Sequence, residues 1–262
     1  MTTASAPTTP PSPAASPQPA RRRRGSRQRA WLPPLIVVSV LFLVFSLPPY
    51  LGLDPAKARL PIRPDYPLHY PLMVGHILFG SVALLAGCLQ VWPWLRTRFP
   101  VVHRWAGRLY LFGGVFPAGV LVLGVAPVSS TGFGSAVGNT ALGVLWLATA
   151  VAGYRAARRR RYADHRAWMV RNFALTLSIV ANRVWLVLFL VLVETPPVAA
   201  VFGGDEASRI QTAATASVWL SWVANLLFVE WYVLRRRSSP ARPASPHTTP
   251  STPSSTAPAR IP

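Results

Sequence analysis

Long apolar stretches bounded by clusters of arginine dominate this chain of 262 residues. Each stretch approaches the ~20 residues that a helix needs to cross a hydrocarbon core of ~30 Å. A bilayer is therefore the expected solvent, and we predict an all-α integral membrane protein with six transmembrane helices. The predicted spans are residues 32–51, 71–92, 105–126, 138–154, 167–193 and 213–234.

Basic residues alternate from loop to loop, and this alternation predicts an orientation. Every second connection is rich in arginine, as at 96–98 and 155–161, whereas the intervening connections hold few basic residues and most of the acidic ones. Because short cytoplasmic loops carry the excess of Lys and Arg, we predict both termini in the cytoplasm. The formal charge of +20 thus indicates topology rather than nucleic-acid binding, because the arginines flank apolar blocks and form no solvated face.

The two ends of the chain differ in composition from its middle. Residues 1–30 and 235–262 are rich in Ala, Pro, Ser, Thr and Arg, and they hold too little apolar surface to offset the entropy lost on ordering. We predict disordered cytoplasmic tails there and a six-helix transmembrane domain over residues 31–234, with a core bundle of its second to fifth helices. A secretory signal peptide is the alternative interpretation of the first apolar stretch.

Two histidines follow basic residues near the start of apolar segments. His103 opens HRWAGRLY and His165 opens HRAWMVRNFALT, and both fall on the predicted cytoplasmic side at equivalent depth. Two neutral imidazoles on facing helices can ligate a haem iron, and basic groups can hold the haem propionates. We therefore predict His103 and His165 as metal ligands of haem b, with Arg104, Arg108 and Arg166 as propionate contacts.

Other interpretations of these residues remain open. Interfacial histidines that only stabilise the bundle would follow the same pattern. Zinc needs three or four His, Cys or carboxylate ligands around one point, and this side offers only His103, His165 and Asp164. The single cysteine, Cys88, excludes an intrachain disulfide and a cysteine metal cluster. No motif assigns a catalytic residue, and whether the chain is an enzyme stays open.

An arginine falls deep within the fifth predicted span. Arg183 lies several residues inside the outer boundary, where a guanidinium without a partner costs at least a few kcal/mol. We predict an outer-leaflet polar cavity lined by His76, Asn182 and Arg183, suited to a quinone or a small anion. In a transporter, the same residues would line a substrate path and titrate with protons.

Polar residues of the fifth span fall on more than one face, so protein must surround this helix on two sides and we predict that it is central. Near the inner end of the sixth span, Glu230 is predicted to pair with an arginine such as Arg171 or to reach the headgroups. The residues that share one line along a continuous fifth helix are His165, Asn172, Thr176 and Arg183.

Small residues line one face of the second span and one face of the third. Such faces accommodate either a flat ligand or a closely packed helix. The residues concerned are Gly80, Ala83, Gly87, Gly107 and Gly114.

Two motifs carry a resemblance to a known family. HRWAGRLY, HRAWMVRNFALT and the preceding His76 resemble a bacterial family of predicted membrane proteins of unknown function, with HRxxGRxY and HRxWMxR motifs, over residues 68–193. The resemblance implies a multi-pass membrane protein and no particular activity. At the level of fold, a helical core with histidines at helix ends is distantly similar to the haem cytochrome b superfamily. The fourth and sixth spans hold no histidine, so a second haem is not expected.

These observations favour a membrane protein that binds haem or takes part in membrane electron transfer. A small-solute or proton-coupled transporter and a membrane assembly factor are the alternatives. The expected partners are the lipid bilayer and a quinone, a small anion or a redox protein.

Overall fold

The computed structural model describes residues 31–237, which form an all-helical bundle without a strand. The predicted tails at 1–30 and 238–262 lie outside the described residues. The last helix continues to residue 237, three residues beyond the predicted end of the transmembrane domain. The helices are α1 (Leu32–Ser46), α2 (Pro48–Leu51), α3 (His69–Gln90), α4 (Pro93–Arg98), α5 (Pro100–Tyr110), α6 (Phe116–Val125), α7 (Phe133–Arg158), α8 (Tyr162–Thr176), α9 (Ser178–Val193), α10 (Pro196–Ala199) and α11 (Glu206–Arg237).

Four helical segments among residues 31–237 have the length and hydropathy of a membrane crossing. A fifth exists if α8 and α9, which are bent by 41° relative to each other, form one span. Helix α1 is apolar but has only 15 residues, fewer than the ~20 of a full crossing. The all-helical class is confirmed, whereas the sixth span and the side on which the termini lie stay predictions. The four segments are His69–Gln90, Pro100–Val128, Phe133–Arg158 and Glu206–Arg235.

The central core is built by α3, α5 to α8 and α11. Ala83 and Ala118 are fully buried in it, and Tyr110 is 1% exposed. Trp222 of α11 belongs to the same cluster. The last helix therefore packs into the predicted core of the second to fifth spans.

Small residues bring the backbones of neighbouring helices into contact. A Cβ at Gly114 would lie 2.8 Å from the backbone of Ala83 on α3, and a Cβ at Gly87 would lie 2.6 Å from the Phe173 ring. By contrast, nothing lies within 4 Å of a Cβ at Gly80. Of the two predicted uses of these faces, close helix packing is therefore the one found at Gly87 and Gly114.

A π-helical segment, Leu111–Val115, joins α5 to α6. Pro117 follows it closely, and a proline has no N–H and clashes with the carbonyl four residues earlier in an α-helix. That carbonyl belongs to Gly113, inside the segment. The wider π turn accommodates the proline without ending the span, and such turns are frequent at functional sites.

The fifth predicted span bends at Leu177, between α8 and α9. The Thr176 hydroxyl donates to the Asn172 carbonyl at 3.0 Å, and the Ser178 hydroxyl donates to a carbonyl three residues earlier. Hydroxyls that bond back to the preceding turn bend helices. Because Arg183 lies beyond this bend, the prediction of one continuous polar line that ends at Arg183 is wrong.

The connection between α2 and α3 is held against the bundle. His69 begins α3 and is only 3% exposed. Its Nδ1 accepts the backbone N–H of Arg63 at 3.4 Å. The Arg63 side chain donates to Asp65 at 2.6 Å, and this hydrogen bond holds the pKa of the Asp65 carboxyl below its usual value.

Candidate functional site

A buried polar network joins α5, α7 and α8 at the centre of the bundle. The Tyr110 hydroxyl donates to Asn172 Oδ1 across 2.6 Å and lies 2.8 Å from Thr176 Oγ1. Trp146 Nε1 donates to the same Thr176 oxygen at 2.9 Å. Asn172 Nδ2 donates to the Trp146 carbonyl at 2.7 Å and to Thr149 Oγ1 at 2.9 Å. All five side chains are buried, and we call them the polar network.

The polar network fixes how α5 and α8 face each other. A buried polar group that loses its partner costs about 1–3 kcal/mol, so helix rotations that break these bonds are disfavoured. The network also lies where both helices depart from regular geometry, directly before the π-helical segment and directly before the bend at Leu177. The hydrogen bonds of the network therefore fix the position of α5 relative to α8.

Each of the two predicted ligand histidines lies seven residues before a network residue on the same helix. His103 precedes Tyr110, and His165 precedes Asn172. Seven residues are about two helical turns, so each histidine shares a face with its network residue. The two histidines, which we call the histidine pair, thus occupy equivalent positions near the first turns of α5 and α8.

His165 is oriented by a carbonyl of the neighbouring helix. Its Nδ1 lies 2.9 Å from the Gly153 carbonyl oxygen on α7. A carbonyl oxygen only accepts, so Nδ1 carries the proton in this contact and Nε2 of the neutral ring does not. Metal-ligating histidines are commonly oriented in this way. The absence of a side chain at Gly153 lets α7 and α8 approach each other closely, because a Cβ there would lie 2.6 Å from Met169 Sδ.

His103 has a buried ring nitrogen that lacks a partner. Its Nδ1 forms no hydrogen bond to any residue that the structure describes. The backbone is well fixed, because Gln90 Nε2 donates to the His103 carbonyl at 2.9 Å. Buried polar groups are rarely left unsatisfied in native proteins. The described part of the chain therefore does not supply the hydrogen-bond partner that a buried ring nitrogen such as His103 Nδ1 normally has.

The donor set of the histidine pair suits a haem iron better than a bare metal ion. No group of three or more His, Cys, Asp or Glu side chains able to hold a metal occurs in residues 31–237. A bare zinc ion needs three or four protein ligands, whereas a porphyrin brings its own equatorial nitrogens and leaves the axial positions to the protein. The faces of Gly107 and Gly114 are filled by Gln90 and Ala83, so they do not form a slot for the macrocycle.

Arginines surround the same end of the bundle. Arg104, Arg108 and Arg166 are exposed, and the Arg108 guanidinium lies 4.7 Å from the Trp105 ring. None of these three forms an ion pair with a carboxylate of the described residues. Arg96 lies within electrostatic range of His103. The histidine pair is therefore bordered by positive charge that is not neutralised by ion pairs.

The residues of the predicted outer-leaflet cavity have separate surroundings. His76 Nδ1 lies 2.9 Å from the Ala118 carbonyl oxygen. Asn182 Nδ2 donates to Ser217 Oγ on α11 at 3.1 Å. Arg183 is exposed on α9. Within the described part of the chain no hydrogen bond joins these three residues, and their common cavity stays a prediction.

The predicted pairing of Glu230 is confirmed. Arg171 Nη2 donates to Glu230 Oε2 at 2.7 Å, and Arg171 Nε bonds to Oε1. The Arg171 guanidinium also lies 5.1 Å from the Trp168 ring. This bidentate ion pair ties α8 to α11.

Trp146 and Thr149 are network residues that sequence reasoning did not single out. They are three residues apart and so share a face of α7. The His76 ring packs edge-on against Trp146, with 6.4 Å between ring centroids. A tryptophan and a threonine at helical spacing within an apolar span are a pattern from which a hydrogen-bonding face could have been predicted.

These features define a multi-pass helical membrane protein with a buried polar network and a histidine pair beside it. The profile of the predicted membrane protein family DUF2306 matches residues 73–233, which is more than half of the chain. The chain therefore belongs to this family. The match continues past the predicted limit at 193 and includes most of α11, in agreement with the place of that helix in the core. No curated protein and no solved structure matches the chain.

Proposed function

We propose that this membrane protein binds haem b, which His103 and His165 would hold through its iron, and that it serves in membrane electron transfer. The observation that carries the proposal is the equal spacing from each histidine to the hydrogen-bonded pair of Tyr110 and Asn172. This spacing turns both imidazoles toward one layer of the bundle. Because the porphyrin supplies four nitrogens to the iron, two imidazoles would suffice as the protein ligands.

The residues around the histidine pair have distinct roles in this proposal. The Gly153 carbonyl orients His165 through Nδ1 and would leave Nε2 to hold the iron. Arg104, Arg108 and Arg166 would hold the propionates, because guanidinium groups form strong charge-assisted hydrogen bonds with carboxylates. Haem supplies one-electron redox chemistry when it is bound, and the chain contributes ligation, orientation and charge.

The position of the histidine pair suits electron exchange at the membrane surface. Both histidines are the fourth residue of their helix, close to the arginine-rich connections. On the other side of the pair, the polar network is buried and hydrogen-bonded, so it closes the layer toward the middle of the bundle. A redox partner would therefore approach from the arginine-rich end.

We also propose six membrane crossings, with both termini in the cytoplasm of a bacterial cell. Only Leu47 separates α1 from α2, and together these helices cover residues 32–51, which reaches the ~20 residues of a crossing. The arginine-rich connections at 96–98 and 155–161 support a cytoplasmic position for that end. The histidine pair would then face the cytoplasm.

An absorbance spectrum tests the haem proposal. Full-length protein purified from haem-replete cells is expected to show a Soret band and an α band that sharpens on reduction with dithionite, with about one haem per chain. Circular dichroism of the same sample confirms that the helices are formed. A colourless but helical protein would contradict the proposal and would favour the transporter or assembly-factor interpretation.

A further inference from the structure

A groove of about 520 Å³ opens between α7, α8 and α11, on a face of α8 next to that of the histidine pair. Charged residues of α8 and α11 line one part of it, and leucines line the other. Trp168, which is 38% exposed, lies among the charged residues. Tryptophan is enriched at the level of lipid headgroups. The groove is therefore polar at one part and apolar at the other, as a membrane leaflet is from its headgroups to its acyl chains.

The length of the groove also matches a leaflet. Arg161, Asp164, Trp168, Arg171 and Leu175 recur at spacings of three or four residues, so they lie along one side of the helix. Arg161 and Leu175 are fourteen positions apart, which corresponds to ~21 Å at ~1.5 Å per residue. A leaflet with its headgroups measures about half of a bilayer of ~40–45 Å. One lipid could therefore extend along this side of α8.

The two arginines of the groove keep donors for an anion although each is paired. Arg161 bonds to Asp164 at 2.7 Å while its side chain remains 60% exposed. Arg171 bonds to Glu230 through Nε and Nη2, and its Nη1 donates to the Ala167 carbonyl at 3.3 Å. A guanidinium has more N–H donors than one carboxylate accepts. Phosphate oxygens are good acceptors for the remaining ones.

We propose that the groove holds a phospholipid, with its phosphate on Arg161 and Arg171 and an acyl chain along Leu145, Leu175 and Leu226. The lipid class follows from the guanidiniums at one part of the groove and the aliphatic side chains at the other. The site lies on its own face of α8 and does not depend on haem binding.

Thr149 connects this groove to the polar network. Its side chain lines the groove, and its Oγ1 accepts the Asn172 amide at 2.9 Å. An acyl chain in the groove would therefore lie between the polar network and the surrounding bilayer. This arrangement keeps water away from the hydrogen bonds that align α5 and α8.

Native mass spectrometry of the full-length protein in detergent, titrated with dioleoyl phosphatidylglycerol, tests the proposal. Wild-type protein is expected to retain one lipid much more tightly than any other. Arg161→Gln is expected to weaken this binding about tenfold, the effect of losing one good phosphate contact. The Arg171→Gln/Glu230→Gln double variant should weaken it as well, and it removes both charges of the ion pair together. Arg158→Gln, at an exposed arginine outside the groove, should bind like wild type.

Two further probes identify which part of the lipid is recognised. Dioleoylglycerol has the same chains without the phosphate, and inorganic phosphate has no chains, so both are expected to bind far more weakly. Equal retention of dioleoylglycerol, or equal competition by inorganic phosphate, would overturn the proposal. So would unchanged binding of phosphatidylglycerol in folded Arg161→Gln and double-variant protein.

Discussion

The Tyr110 hydroxyl and the Asn172 side-chain oxygen lie 2.6 Å apart at the centre of the bundle. Their bond turns one face of α5 toward one face of α8, and His103 and His165 lie about two turns away on these faces. The polar network therefore ties together the two helices that carry the histidine pair. Both helices become irregular directly after the network.

Loss of the Tyr110 hydroxyl should destabilise the bundle. Tyr110→Phe leaves buried Asn172 Oδ1 without its donor, and we expect the free energy of unfolding to fall by about 1–3 kcal/mol. Denaturant unfolding in detergent, followed by circular dichroism, measures this change. Tyr154→Phe is the matched control, because Tyr154 is half-buried on α7 against Phe112 and lies outside the network. Equal losses in the two variants would show that the hydrogen bond has no special weight.

Close packing of α3 against the π-helical segment should make Gly114 intolerant of a side chain. In Gly114→Ala the new Cβ meets backbone atoms of Ala83 at 2.8 Å, and backbone cannot move aside as a flexible side chain can. We expect a loss of about 1–3 kcal/mol in unfolding free energy. Gly80→Ala has open space around its Cβ and should cost nothing. A Gly114→Ala protein as stable as Gly80→Ala would refute the close packing.

The ion pair between Arg171 and Glu230 should show stronger coupling than the more exposed pair of Arg161 and Asp164. The Arg171 side chain is 16% exposed, whereas that of Arg161 is 60% exposed. In double-mutant cycles with Gln and Asn replacements, we expect about 1 kcal/mol for the first pair and less for the second, because solvent screens exposed charges. Thermal unfolding of the four variants of each cycle gives the coupling energies. A larger value for the exposed pair would contradict this ranking.

The six-crossing topology can be tested with reporter fusions. Fusions after Leu95, after Arg160 and at the C-terminus should behave as cytoplasmic, because short loops rich in arginine favour that side. Fusions near Leu60 and near Asp205 should behave as external. Paired alkaline phosphatase and green fluorescent protein reporters distinguish the two sides. One well-expressed fusion on the wrong side would exclude the six-crossing arrangement.

Helices α8 and α9 show how far sequence reasoning reaches. Hydropathy recognises residues 167–193 as one apolar segment, because it averages over composition. The bend at Leu177 depends instead on where the hydroxyls of Thr176 and Ser178 find acceptors. The bend changes the direction in which the Arg183 side chain leaves the helix. A prediction based on a straight helix does not include this change.

The candidate site was predictable where it depends on local spacing and charge. The ion pair between Arg171 and Glu230 follows from opposite charges near the same end of two spans, and the histidines follow from repeated motifs. The contact of Trp146 with Thr176 joins residues 30 positions apart through packing between helices. Such a contact depends on helix rotation and crossing, which composition and periodicity of single segments do not determine.

Haem content of histidine variants is the most direct test of ligation by His103 and His165. A pyridine haemochrome assay, normalised to folded protein, gives the haem bound per chain. We predict that His103→Gln and His165→Gln each abolish bound haem and that the double variant is no worse than either. His76→Gln is the matched control, because the His76 ring bonds to the Ala118 carbonyl outside the histidine pair, and it should retain haem. Near-stoichiometric haem in both single variants, or none in the wild type from haem-replete cells, would contradict ligation by this pair.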